Sequence, residues 1–170
     1  MKNWWAVLAM LLCVPYVAAE PFEQQAYEQA AEQCRQNDLE RCVQWAIWTR
    51  DVMESPAAAF APLKKACDGG HLRGCNVLGN LYLHPYSGLG MDYDKAILLY
   101  KQACDGGYQA ACGNLKQAEN EAVHKQNEAE QQQRLAGLQR SCMRGNSTAC
   151  EALYRELNST RKKVHLGTER

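Results

Sequence analysis

One phrase, Ala-Cys-Asp-Gly-Gly, occurs twice in the chain and sets a repeat length. It stands at Ala66–Gly70 and again at Ala103–Gly107, a period of 37 residues. In both copies a second cysteine follows the first one after eight positions. A fixed period of this size is typical of proteins in which helical repeats stack on one another. The sequence therefore predicts an all-α fold, an α/α solenoid of helical hairpins with about seven helices.

The repeat between the two copies contains two helical segments with different patterns. A first-type segment starts at the second cysteine of a pair and places Cys75, Leu78, Gly79 and Tyr82 on one helical face. A second-type segment, residues 92–104, shows the same spacing and ends at the first cysteine of the next pair. Residues 84–91 between them hold a proline and two glycines, which end both helices. Along the chain we expect half a repeat, two full units, a degenerate third unit and a final first-type helix.

Eight of the nine cysteines fall into four pairs with the same spacing. The pairs are Cys34 and Cys42, Cys67 and Cys75, Cys104 and Cys112, and Cys142 and Cys150. In one unbroken helix, partners eight positions apart would be separated by about 12 Å, which is too far for a disulfide. Asn or Gly stands three residues after each first cysteine, and both tolerate the left-handed conformation that ends a helix. We therefore predict four local disulfides, each joining the end of one helix to the start of the next. Zinc binding fits less well because the spacing is not C-x2-C.

The N-terminus has the features of a secretory signal peptide. Lys2 precedes a short apolar run, and small residues follow at Val17, Ala18 and Ala19. We expect residues 1–19 to be the signal peptide, 20–159 the repeat domain and 160–170 a basic tail. A lipoprotein anchor through Cys13 is less consistent, because Leu12 stands where a small residue is expected. The apolar run is short for a stable membrane span, so the sequence predicts an exported protein, periplasmic or secreted.

The third unit, residues 112–142, keeps the cysteine spacing but has no Gly-Pro break. It is rich in Glu, Gln and Ala, which are strong helix formers. One long exposed helix therefore competes with two helices joined by a turn near Lys125–Asn127. We predict two helices, because the matched cysteine spacing requires the chain to return to the stack. The last helix is expected to turn four side chains inward: Cys150, Leu153, Tyr154 and Leu157.

The central unit resembles the Sel1-like repeat, a relative of the tetratricopeptide repeat, and its paired cysteines are similar to those of the cysteine-rich secreted branch of bacterial Sel1-like proteins. The resemblance is carried by Leu78, Gly79, Leu81, Tyr82, Gly88, Leu89, Gly90, Asp92, Tyr93, Lys95, Ala96, Tyr100 and Ala103–Gly107. It implies a scaffold that binds a protein or a peptide. It also implies two alternatives, a penicillin-binding protein or weak β-lactamase with a β-lactam or peptidoglycan-derived ligand, and an immunity protein against a secreted toxin.

The sequence assigns no catalytic residue, no cofactor and no metal ligand. Its four histidines lie far apart, and no nucleophile elbow, phosphate loop or zinc-protease motif is present. Ser159 and Lys162 have the spacing of a serine β-lactamase motif, but the companion motifs are missing. With 19 basic and 19 acidic residues, the chain has no bulk charge that would favour nucleic acid. Whether it is an enzyme stays open at this point, and binding is favoured.

Binding is expected on the exposed face of the first-type helices, opposite the stripe that contains Cys75 and Leu78. Side chains three and four positions apart share a helical face. The exposed positions counted from Cys75 can therefore be counted in the same way from the second cysteine of every other pair. The resulting candidate residues are Arg73, Asn76, Asn80, Val43, Ile47, Gln117, Glu151 and Arg155.

Overall fold

The computed structural model describes the backbone of residues 23–167 and the side chains of residues 23–159, so the expected signal peptide lies outside the described residues. Seven α-helices and one short 3-10 helix account for most of this range, and no strand occurs in it. The all-α prediction is therefore confirmed. The helices are α1 Gln24–Arg35, α2 Leu39–Asp51, the 3-10 helix Pro56–Ala59, α3 Phe60–Asp68, α4 Leu72–Tyr82, α5 Tyr93–Asp105, α6 Gln109–Met143 and α7 Ser147–Gly167.

All four predicted disulfides are present, with Cα atoms between 4.5 and 4.8 Å apart. Each closes a tight turn between consecutive helices, whose central residue has a positive φ. These residues are Asn37 at 70°, Gly70 at 85°, Gly107 at 99° and Gly145 at 91°. Four disulfides are consistent with an extracellular location, because such bonds persist in oxidising compartments.

The turns also cap the helices that follow them. The carboxylate of Asp38 accepts a hydrogen bond from the Arg41 amide, and the Asn146 side chain accepts one from the Ala149 amide. His71 acts in the same way through Nδ1, which accepts from the Gly74 amide at 3.1 Å. Each cap satisfies a backbone donor that has no partner inside its helix.

The helices pack in sequence order. Each one contacts the next along the chain, and the first-type helix α4 also contacts α2 and the start of α6. Val43, Ala46, Leu63 and Leu81 are fully buried and mark the centre of the core. The core therefore lies among α2, α3 and α4, and it is closed by α5 and the first turns of α6.

The prediction of two helices in the third unit is wrong, because α6 runs without interruption from Gln109 to Met143. No Gly or Pro occurs between positions 114 and 136 to end the helix. A second cause is the residue at the position where the two helices of one repeat pack against each other. Gly79 allows the Tyr100 ring to approach α4 closely, and its counterpart in the third unit is Lys116. A lysine there prevents a returning helix from packing at the same distance.

The second half of α6 instead forms a helical hairpin with α7. We call residues 123–143 and α7 the arm. The Cys142–Cys150 disulfide closes it, and Arg134 forms a 2.8 Å ion pair with Glu156 along its length. We call α1 to α5 and residues 109–122 the stack. Side chains of residues 123–134 are all exposed, so this first part of the arm is a polar connection between the stack and the α6–α7 hairpin.

The expected burial of α7 is only partly found. Ala149 is buried, but Tyr154 is 70% exposed and Leu157 is 53% exposed, so both were wrongly placed in the core. The backbone of residues 160–167 continues α7, where the sequence predicted a separate tail. Among the described helices, none is both long and apolar enough to cross a membrane.

Candidate functional site

Two of the eight predicted binding residues are buried and cannot meet a partner. Val43 is fully buried, and Asn76 is 6% exposed with its Oδ1 accepting a 2.8 Å hydrogen bond from Asn114 Nδ2. Both lie where neighbouring first-type helices pack side by side, which sequence spacing within one helix cannot reveal. The predicted binding face is therefore wrong at these positions, since neighbouring helices cover part of it.

Two other predicted residues, Asn80 and Gln117, come together in a small cleft between α4 and α6. The cleft has a volume of about 200 Å³ and includes Tyr100 and Glu121. Tyr100 donates a 2.8 Å hydrogen bond to Asn80, and Gln117 donates one to Glu121. Burial, and then the Glu121 carboxylate, raise the pKa of Tyr100 to about 12. The amide side chains of Asn80 and Gln117 in this cleft therefore already form hydrogen bonds to neighbouring residues.

The remaining predicted residues lie apart from this cleft. Arg73 binds Glu40 at 2.6 Å, and the same carboxylate contacts His71 at 2.8 Å. Ile47 is half-buried against the core. Glu151 and Arg155 are exposed on α7, in the arm. The eight residues therefore do not form one continuous surface.

A groove on the other side of α4 is the better candidate. It lies between α3 and α5, with α4 as its floor, and has a volume of about 250 Å³. Leu78 and Tyr82 form the floor, and they point roughly 180° away from Asn76 and Asn80 at 100° per residue. The wall residues are Phe60, Lys64, Cys67 and Asp68 from α3, and Lys95, Leu98, Leu99 and Gln102 from α5.

The groove combines an aromatic floor with charged edges. Phe60 packs edge-on against Tyr82, with ring centroids 6.1 Å apart. Lys95 places its Nζ 5.3 Å from the centroid of the Tyr82 ring, a favourable cation–π distance. Its hydrogen bond to Asp92 raises the pKa of the Lys95 ammonium. Its Nζ also lies 3.0 Å from a carboxylate oxygen of Asp92, so the charge of Lys95 is paired at the rim.

Leu98 is the most unusual residue of the groove. It is 66% exposed, although it belongs to a helix whose other face is well packed. The core pattern of α5 in the sequence accounts for Ala96 and Tyr100 and does not include Leu98. A second stripe at i, i+3, i+4 and i+7 was available as a signal: Lys95, Leu98, Leu99 and Gln102.

Two sequence features that bear on metal binding and on the β-lactamase alternative can be located in the described side chains. No group of three or more His, Cys, Asp or Glu residues in the described range could hold a metal ion. The Ser159 hydroxyl donates a 2.8 Å hydrogen bond to the backbone oxygen of Glu156. The side chain of Lys162 lies outside the described side chains, so the Ser159–Lys162 motif has no described geometry.

Comparison of the chain with protein-family models, with curated proteins and with solved structures finds no match. The Sel1-like resemblance therefore depends on the residues quoted for the central repeat.

Proposed function

We propose that the chain is an exported Sel1-like scaffold that binds a protein or peptide partner in the groove between α3 and α5. The observation that carries the proposal is the grouping of apolar side chains in this groove, where the exposed Leu98 lies with Phe60, Leu78 and Tyr82. Apolar surface that is grouped in one place and bordered by polar residues is a common feature of interaction sites.

The size of the groove favours part of a larger partner over a small molecule. Its volume of about 250 Å³ lies below the roughly 300–1,000 Å³ of most small-molecule pockets. It could accept one or two apolar side chains between Tyr82 and Leu98. The charges at the edges are already paired, because Lys64 binds Asp68 and Lys95 binds Asp92, so the edges offer polar groups without a net charge. The expected ligand is a short peptide segment in which one or two apolar side chains are flanked by polar residues.

Export supports the same proposal. The four disulfides suit an oxidising compartment, and the predicted signal peptide would direct the chain there. A periplasmic or secreted scaffold would meet its partner outside the cytoplasm.

The test is selection from a random peptide library displayed on phage, against the protein with its disulfides intact. Selected peptides should bind the Leu98→Asp variant at least roughly tenfold more weakly, because the apolar contact is lost. Val123→Asp is the matched control, since Val123 is 59% exposed on α6 outside the groove. Equal binding to the wild type and to Leu98→Asp would exclude the groove as the site.

The two alternatives implied by the resemblance have their own readouts. Turnover of a chromogenic β-lactam by the same preparation would favour the hydrolase, and neutralisation of a toxin in co-expression would favour the immunity protein. Either result, with no peptide binding in the groove, would replace the scaffold proposal.

A further inference from the structure

The four disulfides differ in how deeply the structure buries them. The cysteines of the first two pairs are buried, and Cys67, the most exposed of them, is 4% exposed. Cys104 and Cys112 of the third pair are half-buried, but the residue before each of them, Ala103 or Ala111, is fully buried in the main core. These three bonds therefore lie in the packed interior or directly beside it.

The fourth bond, between Cys142 and Cys150, has different surroundings. Both cysteines are half-buried, and neither is among the described residues that form the two core clusters. Cys150 lines a shallow depression of about 480 Å³ on the surface of α7. A thiol in solution can therefore approach this cysteine without any opening of the stack.

The two helices of the arm share only a small buried interface besides this bond. Among the described side chains of the arm, those of residues 123–159, only the side chain of Ala149 is buried. The main packing neighbour of α7 is α6. The Arg134–Glu156 ion pair between them is partly exposed to solvent, where such pairs contribute little. Local opening of the arm therefore disrupts few buried contacts, whereas opening at the other three bonds disturbs the core.

We propose that the Cys142–Cys150 bond is a redox switch: a dithiol reductant opens this bond while the other three stay closed, and α7 then separates from α6. Exposed disulfides in weakly held segments are the ones that dithiols reduce most readily. The stack keeps its fold, and with it the groove between α3 and α5. The switch and the binding function of the groove are therefore independent, and either can fail alone.

The exchange takes two steps that transfer two electrons to the chain. A thiolate of the reductant attacks Cys150, so that a mixed disulfide forms and the bond between Cys150 and Cys142 breaks. Cys142 leaves as a thiolate and takes up a proton from water. The second thiol of the reductant loses its proton and attacks the reductant sulfur of the mixed disulfide, which releases Cys150 as a thiolate that is protonated in turn. The chain then carries two thiols, and the dithiol has become a disulfide.

Reduction of the oxidised protein by dithiothreitol, with free thiols trapped by N-ethylmaleimide at successive times, tests the order of opening. Peptide mass spectrometry then gives a rate for each pair. In native buffer, Cys142 and Cys150 should be labelled at least roughly tenfold faster than the other six paired cysteines, because access and local opening favour them. Equal rates, or earlier labelling of any other pair, would overturn the proposal.

The same experiment in denaturant is the control for local sequence. The four pairs have the same sequence separation, so without the fold they should react at similar rates. A preference for Cys142 and Cys150 that persists unchanged in denaturant would assign it to the neighbouring residues and would count against a switch built into the fold.

Hydrogen exchange tests the conformational step. After selective reduction and thiol blocking, the amides of α7 should exchange at least roughly tenfold faster than in the oxidised protein, whereas those of α4 should keep their rates. Protein that is reduced, left unblocked and returned to an oxidising buffer should regain the original rates. In the variant with Cys142→Ala and Cys150→Ala, dithiothreitol should leave the exchange of α7 unchanged. Equal protection of α7 in the oxidised and the reduced protein would mean that α7 stays in place, and the switch would be refuted.

Discussion

Gly79 lies where the Tyr100 ring of α5 packs against α4, and the contact depends on the missing side chain of the glycine. A Cβ atom at this position would lie 2.6 Å from Cε1 of Tyr100. The Tyr100 ring fills the space, and its hydroxyl binds Asn80 one residue further along α4. A single glycine therefore determines how closely the two helices of the central unit pack.

Gly79→Ala should lower the free energy of unfolding by about 1–3 kcal/mol, because the aromatic ring must shift in a packed interior. Gly113→Ala is the matched control, since Gly113 also lies in a helix but its Cβ would meet nothing within 4 Å. That change should raise stability by up to about 1 kcal/mol through higher helix propensity. Denaturant unfolding measures both. A Gly79→Ala variant as stable as the wild type would show that the ring moves without cost.

Tyr100 should make stability depend on pH in the alkaline range. Its pKa in the folded protein is raised to about 12, above the ordinary value near 10, so folding favours the protonated form. The resulting contribution is complete below about pH 10 and is lost as the pH rises towards about 12. Tyr100→Phe should be less stable at pH 8 because it lacks the bond to Asn80, and its deficit should shrink between pH 10 and 12. A deficit that stays constant across this range would contradict the assignment.

At the scale of the element, α6 is the exception among the helices. It has 35 residues, and its buried residues are Ala111 and Ala118, both near its start. In its middle, polar pairs such as Gln126 with Glu130 and Lys125 with Glu128 support the helix along its own surface. Such pairs contribute only about 0.2–0.5 kcal/mol each. Because the side chains of residues 123–134 are all exposed, tertiary contacts add little to the stability of this stretch.

Backbone amides of residues 119–134 should therefore exchange with solvent hydrogen faster than those of α4 and α5. Local opening there disrupts few buried contacts, whereas opening α4 exposes the core. Hydrogen exchange resolved by peptide or by residue is the measurement. Comparable protection in the middle of α6 and in α4 would show that this stretch is held by contacts beyond its own helix.

At the scale of the whole molecule, the disulfides stabilise two different parts of the structure, the stack and the arm. Cys67 and Cys75 are 4% and 0% exposed and lie in the main core. Cys142 and Cys150 close the arm, whose side chains are half-buried or exposed over most of its length. Two disulfide-closed loops of the same nine-residue length therefore stabilise different parts of the structure.

Replacing Cys67 and Cys75 by Ala should lower the unfolding free energy of the stack by about 2–3 kcal/mol, the chain-entropy value for a loop of this length. Replacing Cys142 and Cys150 by Ala should leave the unfolding of the stack within about 0.5 kcal/mol of the wild type and should speed exchange in α7. Denaturant unfolding with hydrogen exchange distinguishes the two. Equal losses from both double variants would mean that stack and arm unfold as one unit.

Much of this structure could be predicted from the sequence, because the information is local. The cysteine spacing and the Asn or Gly in each turn lie within nine residues, so the disulfides and helix ends follow from chain geometry alone.

The tertiary structure decided the rest. Val43 and Asn76 are buried by neighbouring helices, which the period of one helix does not report. The two-helix prediction for α6 failed because Lys116 and the missing Gly-Pro break remove the close contact that would return the chain to the stack. Tyr154 and Leu157 follow the core spacing in sequence, and they are exposed because no helix within the described residues covers them.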